Sequence, residues 1–270
     1  MGYLFDPQNW EWVTTGNNLR FLLEGFLVNL QIAVIAIVLS LAVGLLLALA
    51  RLSRLKPLSL VAGVWVDVWR NLPLIFIILY LALALPAPWK DFYESIVPSF
   101  FPEALQSGRV FAGILGLVLY NSAVIAEIMR SGILSLDRGQ GEAAASLGLS
   151  RTQQLRYVIL PQGLRRMVPA TVSQLITLNK DTTLVSIIAI QEVMRHGRIL
   201  SSGFGAFTGS DVETPVLQVF IVIGLLFVLT NLALSRLSRR LEVRERKRTG
   251  GTAGPVMGVE DQTALALEAR

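Results

Sequence analysis

The sequence has no cysteine and a single histidine, His196, among its 270 residues. The lack of cysteine excludes a disulfide framework, a zinc site with thiolate ligands and a cysteine nucleophile. One histidine is too few for most metal sites and for nearly all histidine-based acid–base schemes. No G-x-x-x-x-G-K-[ST] string occurs, so the chain has no recognisable means of binding ATP by itself. These absences argue against an enzyme, and we expect no metal and no cofactor in this chain.

Charged residues are also scarce, at 16% of the chain against 53% hydrophobic residues. The stretch Gly25–Ala50 contains no charged side chain at all. About 20 consecutive apolar residues span the hydrocarbon core of a bilayer as a helix, so this run predicts a transmembrane helix. We therefore predict an all-α integral membrane protein with five transmembrane helices. The predicted spans are Gly25–Ala50, Leu58–Leu85, Val110–Met129, Met167–Ile190 and Pro215–Leu234.

The basic residues divide unequally between the two sets of connections. One set carries 16 lysines and arginines and the opposite set carries 5. The positive-inside rule therefore places the N-terminal segment, residues 1–24, outside and the C-terminal segment, residues 241–270, in the cytoplasm. The net charge of +5 is a topology signal, and no nucleic-acid partner is expected. The basic end of the fifth span is expected to continue as a helix and contact anionic lipid headgroups, followed by a mobile tail from Thr249.

Two features of the first span leave alternatives open. Trp10 and Trp12 precede it, either as an interfacial belt or as surface aromatics of a short helix. Small residues then recur at every fourth position and line one stripe of the helix, which would let another helix approach closely. They are Ala36, Ser40, Gly44 and Ala48. The stripe faces either a second subunit or another span of the same chain.

The connection between spans three and four carries the strongest local signals. Glu142–Leu147 favours a short helix, and Gly148 can adopt the left-handed conformation that ends it. Ser150 and Gln153 form an S-x-x-Q capping box that begins a second helix. Pro161 is expected to end or bend that second helix. The result is two short helices at an angle, whose alanine and leucine surface is suited to docking another protein.

This connection resembles the E-A-A-x3-G-x9-I-x-L-P loop of permease subunits of bacterial ABC importers. The matching residues are Glu142, Ala143, Ala144, Gly148, Leu160 and Pro161, with Val158 in place of isoleucine. In that family the loop holds coupling helices that sit in a groove of the ATP-hydrolysing subunit. The resemblance implies that an ATPase-coupling loop occupies residues 138–166, and Leu147 is added to its candidate contacts.

The resemblance covers about residues 20 to 240 and narrows to permeases for polar amino acids, of the histidine and glutamate type. The sequence around Arg70 and Asn71 resembles that subfamily's R-[GN]-x-P-L, Tyr120–Ile133 its span-three end, and Asn179–Ser186 its K-[DN]-[ST]-[ST]-L motif. The candidate substrate-pathway residues are Arg70, Asn71, Asn121, Lys180 and Asp181. The sequence from Tyr120 to Gly148 is most similar to glutamate-type permeases, which implies a glutamate-like substrate.

Charged groups inside a bilayer are costly and usually face a partner or a wet cavity. Lys180 and Asp181 either meet the carboxylate and ammonium of an amino acid or close structural ion pairs. Asp67 and Arg70, three residues apart, can pair on one helix face. Glu127 is expected to be structural, and His196 to be solvated in an outer loop.

The resemblance implies an assembly in the bacterial inner membrane. Two permeases, of this chain or of a related one, would form a dimer above two ABC ATPase subunits, which bind ATP and Mg. An extracytoplasmic solute-binding protein would deliver the amino acid. The alternative is an independent secondary transporter or channel for a small polar solute, although five spans without a visible repeat argue against it. A membrane-embedded enzyme is a more distant alternative.

Overall fold

The computed structural model describes residues 2–202 and 215–248, and every regular segment within them is helical. The expected tail from Thr249 lies outside the described residues. The longer helices are α1 (Asn18–Arg51), α2 (Lys56–Asn71), α3 (Leu74–Ala84), α4 (Ala87–Ile96), α5 (Gly108–Leu134), α6 (Arg138–Ser146), α7 (Leu160–Asp181), α8 (Val193–Ser201) and α9 (Val216–Arg248). Helix α9 runs well past Leu234, which confirms that the fifth predicted span continues as a helix.

Helix α5 lies at the centre of the molecule, and α1, α2, α3 and α7 all pack against it. Its longest interface is with α1, where the stripe of small residues is buried. A Cβ atom added to Gly44 would lie 2.8 Å from Ile125 Cγ2 and 3.0 Å from the carbonyl oxygen of Ser122. The stripe therefore packs against another helix of the same chain. Of the two alternatives, a second subunit or another span of this chain, the second is confirmed.

The second predicted span is broken into α2 and α3, which meet at an angle of 101°. The prediction of one continuous helix over Leu58–Leu85 was therefore wrong. The break falls at Leu72 and Pro73. Proline has no backbone N–H to bond the preceding turn, and its ring clashes with the carbonyl group of that turn. A helix arriving from Asn71 therefore ends there, and Pro73 precedes the start of α3.

Three described helices are long and apolar enough to span a membrane: α1, α5 and the Val216–Leu241 part of α9. The bent pair of α2 and α3 would be a fourth span. Helix α7 is not among them, because polar residues along it, such as Gln174, make it less apolar, as do the charged residues near both ends. They are Arg165, Arg166, Lys180 and Asp181. A fifth span through α7 stays a prediction.

The contacts between helices group their ends into two sets. At one end, Arg51 of α1 binds Glu127 of α5, and Ser238 of α9 donates a hydrogen bond to the carbonyl oxygen of Pro169 in α7. At the other end, Asn29 of α1 binds Glu192, just before α8. This grouping is the one that the division of basic residues predicts.

A second hydrophobic cluster joins the N-terminal segment to α1, α8 and α9. Trp12 lies in it with an exposed fraction of 0%. The position on the surface of a short helix, one of the two predicted for this tryptophan, was therefore wrong, and a position at the depth of the membrane interface stays a prediction. Its indole ring packs among Leu22, Phe26 and Val219, a contact between distant segments that local sequence does not reveal.

Candidate functional site

The chain between α5 and α7, residues 135–159, is called here the interhelical loop. Its first helix, α6, is capped at its start by Asp137, whose carboxylate accepts a hydrogen bond of 2.8 Å from the Gly139 N–H. It ends before Gly148, which has φ +78°, a conformation that costs L-residues about 1–2 kcal/mol. The Ser150 N–H then donates to Gln153 Oε1 at 2.8 Å within a complete capping box. The predicted left-handed glycine and capping box are both confirmed.

The second helix of the interhelical loop does not end at Pro161. It starts as one α-turn (Arg151–Gln153), widens to a π-helix (Gln154–Ile159) and continues without interruption into α7. Of the two expected effects of Pro161, ending this helix was wrong, and bending it stays a prediction. Pro161 is the second residue of α7 and follows the π-helix directly. In the first turn of an α-helix, the missing N–H of proline is tolerated.

The predicted coupling residues are not all on the surface. Glu142, Ala143 and Gly148 are exposed, and Leu147 is 82% exposed. Ala144, in contrast, is only 3% exposed, so it packs inside the chain. The expectation that Ala143 and Ala144 both form the docking surface was therefore wrong for Ala144. Leu160 and Pro161 are half-buried. The exposed apolar group at the tip of the loop is Leu147.

The interhelical loop is held tightly by the two helices it connects. Glycines allow the close approach: a Cβ atom on Gly132 of α5 would lie 2.1 Å from Met167 Cγ, and one on Gly163 of α7 would lie 2.9 Å from Ile133 Cγ1. Arg166 also donates a hydrogen bond of 2.9 Å to the carbonyl oxygen of Ser135. The two helices therefore pack directly on each other where the interhelical loop leaves and rejoins them.

Near the same end of the molecule, an ion-pair cluster of Glu127 and Arg51 joins three helices. Arg130 Nε, on the next turn of α5, lies 3.1 Å from both of its carboxylate oxygens, and Arg51 Nη1 at the end of α1 lies 2.6 Å away. Asp67 of α2 lies 3.8 Å from the same Arg51 nitrogen. The expected structural role of Glu127 agrees with this geometry. The expected pairing of Asp67 with Arg70 was wrong, because Asp67 faces the arginine of the neighbouring helix.

The five substrate-pathway candidates do not form one cluster. Arg70 and Asn71 are exposed at the end of α2, and the Asn71 side chain donates to the carbonyl oxygen of Asp67 at 2.7 Å. Lys180 is exposed and Asp181 is half-buried at the end of α7. Neither of these two forms an ion pair with any residue that the structure describes. The structural ion pairs proposed as an alternative role for them are therefore absent from the described chain.

Asn121, the fifth candidate, belongs to a set of hydrogen-bonded amides between helices, and sequence reasoning missed these pairings. It is 0% exposed, and its Oδ1 accepts a hydrogen bond of 2.7 Å from Gln174 Nε2 of α7. One turn further along α7, Asn179 Nδ2 donates to Asn231 Oδ1 of α9 at 3.1 Å. The sequence does contain a signal for these pairs, namely amide side chains within apolar spans, because such groups hydrogen-bond across helices in a bilayer.

The opposite end of the molecule has its own polar centre around Glu192. This carboxylate is 0% exposed, accepts a hydrogen bond of 3.0 Å from Asn29 Nδ2 and caps α8 at the Arg195 N–H, 2.8 Å away. Asn29 also donates to Thr182 Oγ1 at 3.0 Å. Glu192 therefore ties α1 to the chain that follows α7. It attracted no attention in the sequence because it lies outside any motif.

His196 was expected to be solvated, and this was wrong. Its exposed fraction is 8%, and its ring stacks on Phe21 with centroids 3.9 Å apart. The Nδ1 atom lies 2.6 Å from the Phe21 carbonyl oxygen, which can only accept, so Nδ1 carries the proton. Burial lowers the pKa of this imidazole from its ordinary value. The neutral ring therefore acts as a packing group between α8 and α1.

Comparison with known proteins gives consistent matches over this same region. The family model described as "Binding-protein-dependent transport system inner membrane component" matches residues 20–247. The probable glutamine ABC transporter permease protein of Bacillus subtilis (strain 168) is 39% identical over 228 residues, covering 84% of this chain and 95% of that protein. A glutamate/aspartate import permease protein of Escherichia coli O157:H7 is 31% identical over 235 residues, covering 85% and 97%.

The fold is also similar to solved structures. A chain in the structure entitled "Crystal structure of an amino acid ABC transporter with histidines" superposes with a TM-score of 0.67 at 27% identity, covering 87% of this chain and 98% of that one. A methionine ABC transporter in an inward-facing conformation gives a TM-score of 0.55 at 22% identity with the same coverage. The second similarity concerns the fold alone.

Proposed function

This chain belongs to the inner membrane components of binding-protein-dependent transport systems and is a permease subunit of an amino acid ABC importer, and we propose that its interhelical loop docks on the ATP-hydrolysing subunit. The observation that carries this proposal is Leu147. It is an apolar side chain, 82% exposed, at the tip of a helical turn that Gly148 closes. An exposed apolar group on a rigid, well-capped support is typical of a protein contact.

The anchoring of the interhelical loop supports a coupling role. Because Gly132 and Gly163 let α5 and α7 pack without a gap, a displacement of the loop would move both helices together. Closure of two ATPase subunits around bound ATP would supply that displacement. ATP and Mg would be bound by those partners, and the permease itself would carry out no chemical reaction.

The rest of the proposed assembly follows the family. The chain would cross the bacterial inner membrane five times, with α7 as the fifth span despite the charged residues near its ends. It would pair with a second permease, of the same or a related sequence, and receive its amino acid from an extracytoplasmic solute-binding protein. The relatives named for glutamine and for glutamate/aspartate support a polar amino acid as the substrate.

The docking proposal is tested by Leu147→Asp in the full-length permease, co-expressed with the ATPase subunit of its importer. A charge buried at this contact would lower recovery of the ATPase in a pull-down about tenfold or more, since 1.4 kcal/mol is a factor of ten. Phe5→Asp is the matched control, because Phe5 is 80% exposed and lies in the N-terminal segment. Normal ATPase recovery and normal uptake in Leu147→Asp would refute the docking site.

A second pair of variants tests the shape of the loop without changing its surface charge. Gly148→Val places a β-branched residue at φ +78° and should stop uptake while the chain still inserts in the membrane. Gly148→Asn is the control, because asparagine tolerates this conformation and no atom lies within 4 Å of a Cβ added there. Equal uptake by both variants would show that the geometry of this turn is unimportant for coupling.

Lys180 and Asp181 are the proposed contacts of the amino acid. They lie side by side at the end of α7 without an ion-pair partner among the described residues, so the ammonium and carboxylate of an amino acid could serve as partners. Lys180→Ala and Asp181→Ala should each reduce uptake more than they reduce the amount of assembled transporter. Wild-type uptake rates in both variants would exclude a pathway role. Uptake that needs neither ATP nor partner subunits would instead support the secondary transporter.

A further inference from the structure

Helix α9 continues beyond the point where a membrane-spanning helix needs to end. A helix of about 20 residues crosses the hydrocarbon core, so a span beginning at Val216 is complete near Ser235. No charged residue occurs between these two positions. The first charged side chain, Arg236, follows at once, and three further arginines with described side chains follow within two turns. They are Arg239, Arg240 and Arg244.

These four arginines share one face of α9. At 100° per residue they fall within an arc of about 140°, and all four are exposed. Ser238 lies on the opposite face, where it is 8% exposed and hydrogen-bonded to the Pro169 carbonyl oxygen at 3.3 Å. The α9 extension is therefore fixed in rotation by its contact with α7, and its arginines point away from the rest of this chain.

The height of the arginines matches the headgroup layer. With a rise of about 1.5 Å per residue, Arg236 to Arg240 lie about 2 to 8 Å beyond the end of the span, and a headgroup layer is about 5–7 Å thick. Arg244, about 14 Å out, can reach back along its long side chain. None of the four forms an ion pair with a described side chain. Guanidinium groups bind phosphate through two parallel hydrogen bonds.

We infer that this arginine face of α9 is a binding site for anionic phospholipid headgroups. The occupant is a phosphate-bearing lipid such as phosphatidylglycerol, because the site begins where the hydrocarbon core ends and every described charged side chain along the arc is a cation. An acidic surface of a partner protein is the competing occupant. The inference goes beyond the proposed transport function and depends on neither an ATPase nor a substrate.

The test uses the purified full-length chain reconstituted into phosphatidylcholine vesicles. Spin-labelled phosphatidylglycerol and spin-labelled phosphatidylcholine report, by electron paramagnetic resonance, how strongly each lipid associates with the protein. We expect the wild type to prefer phosphatidylglycerol, and Arg239→Gln, Arg240→Gln and Arg244→Gln together to reduce that preference at least about fivefold. That is the factor expected for one near-surface cation.

The control is the triple variant Arg138→Gln, Arg151→Gln and Arg156→Gln, which removes three exposed arginines from the interhelical loop. It should keep the preference for phosphatidylglycerol. Should the test variant fold poorly, raising the salt concentration of the wild type to about 1 M should abolish the preference, because the Debye length falls to about 3 Å.

Four results would overturn the inference. An unchanged lipid preference in the α9 variant would exclude these arginines as the site. An equal loss of the phosphatidylglycerol preference in the control variant would show that the preference depends on net charge alone. Displacement of the labelled lipid by soluble glycerol phosphate would identify a site for free anions, and loss of ATPase recovery without loss of lipid preference would assign the face to the partner protein.

Discussion

Glu127 illustrates at the scale of one residue how a charge is retained at the end of a membrane helix. It accepts hydrogen bonds from Arg130 on its own helix and from Arg51 on α1, and the three side chains are between 19% and 30% exposed. A hydrogen bond to a charged group contributes about 1.5–3 kcal/mol, more than a neutral pair. Arg20 and Glu24 also form an ion pair between an arginine and a glutamate, but their side chains are 77% and 52% exposed.

We predict that Glu127→Gln lowers the free energy of unfolding in detergent micelles by about 1.5–3 kcal/mol, because two arginines lose their counter-charge. Glu24→Gln should cost less than about 0.5 kcal/mol, as expected for an exposed pair. Thermal unfolding followed by tryptophan fluorescence measures both. Equal midpoints for the two variants would contradict a structural role for Glu127.

His196 gives a second prediction at this scale. Burial lowers its pKa below the ordinary value of 6.5, so between the folded pKa and 6.5 the unfolded chain binds a proton that the folded chain does not. Its contribution to stability is therefore complete above pH 6.5 and is lost as the pH falls through the folded pKa. We expect unfolding midpoints to fall more steeply between pH 7 and pH 5 in the wild type than in His196→Gln. Parallel curves would contradict this.

The residues of the interhelical loop separate what sequence can reveal from what it cannot. The left-handed Gly148 and the capping box of Ser150 with Gln153 follow from local chemistry, and both were correctly predicted. The burial of Ala144, His196 and Trp12 was not predicted, because it depends on which distant segment lies opposite each side chain. The hydrogen bond between Asn179 and Asn231 also became visible only in the structure, because the two residues are 52 positions apart in the sequence.

At the scale of helices, the packing of α1 on α5 depends on small residues. Their interface brings Gly44 so close to Ile125 and Ser122 that a single methyl group would not fit without movement. In a bilayer, where lipid tails are as apolar as side chains, such close packing is a main source of helix association. Gly224 of α9, by contrast, has no atom within 4 Å of an added Cβ.

These two glycines form a matched pair. Gly44→Ala should lower the free energy of unfolding by about 1–3 kcal/mol, the usual cost of overpacking. Gly224→Ala should be neutral or stabilising by up to about 1 kcal/mol, because alanine is the better helix former and meets nothing. Unfolding midpoints of the two variants, measured in the same detergent, test the prediction. A stable Gly44→Ala variant would mean that α1 and α5 are free to separate.

At the scale of the whole molecule, the two ends of the helix bundle carry different groups of residues. One end gathers the arginine cluster around Glu127, the interhelical loop and the arginine face of α9. The other gathers Trp12, Glu192 and His196, which pack the N-terminal segment against α8. Helices α5 and α7 connect the ends, so the proposed docking of a partner at the first end would act through them on the proposed amino acid contacts, Lys180 and Asp181.

The orientation of these ends in the membrane is the last prediction. The 16 basic residues of one set of connections against 5 of the other place the interhelical loop in the cytoplasm and the residues around Ser99 outside. The absence of cysteine makes the test direct, because each introduced thiol is the only one in the chain. Gln140→Cys and Ser99→Cys both place it at an exposed position. In intact cells, a membrane-impermeant maleimide should label Ser99→Cys alone, and after the membrane is permeabilised it should label both. Labelling of Gln140→Cys from outside would reverse the orientation, and with it the proposal that a cytoplasmic ATPase docks on the interhelical loop.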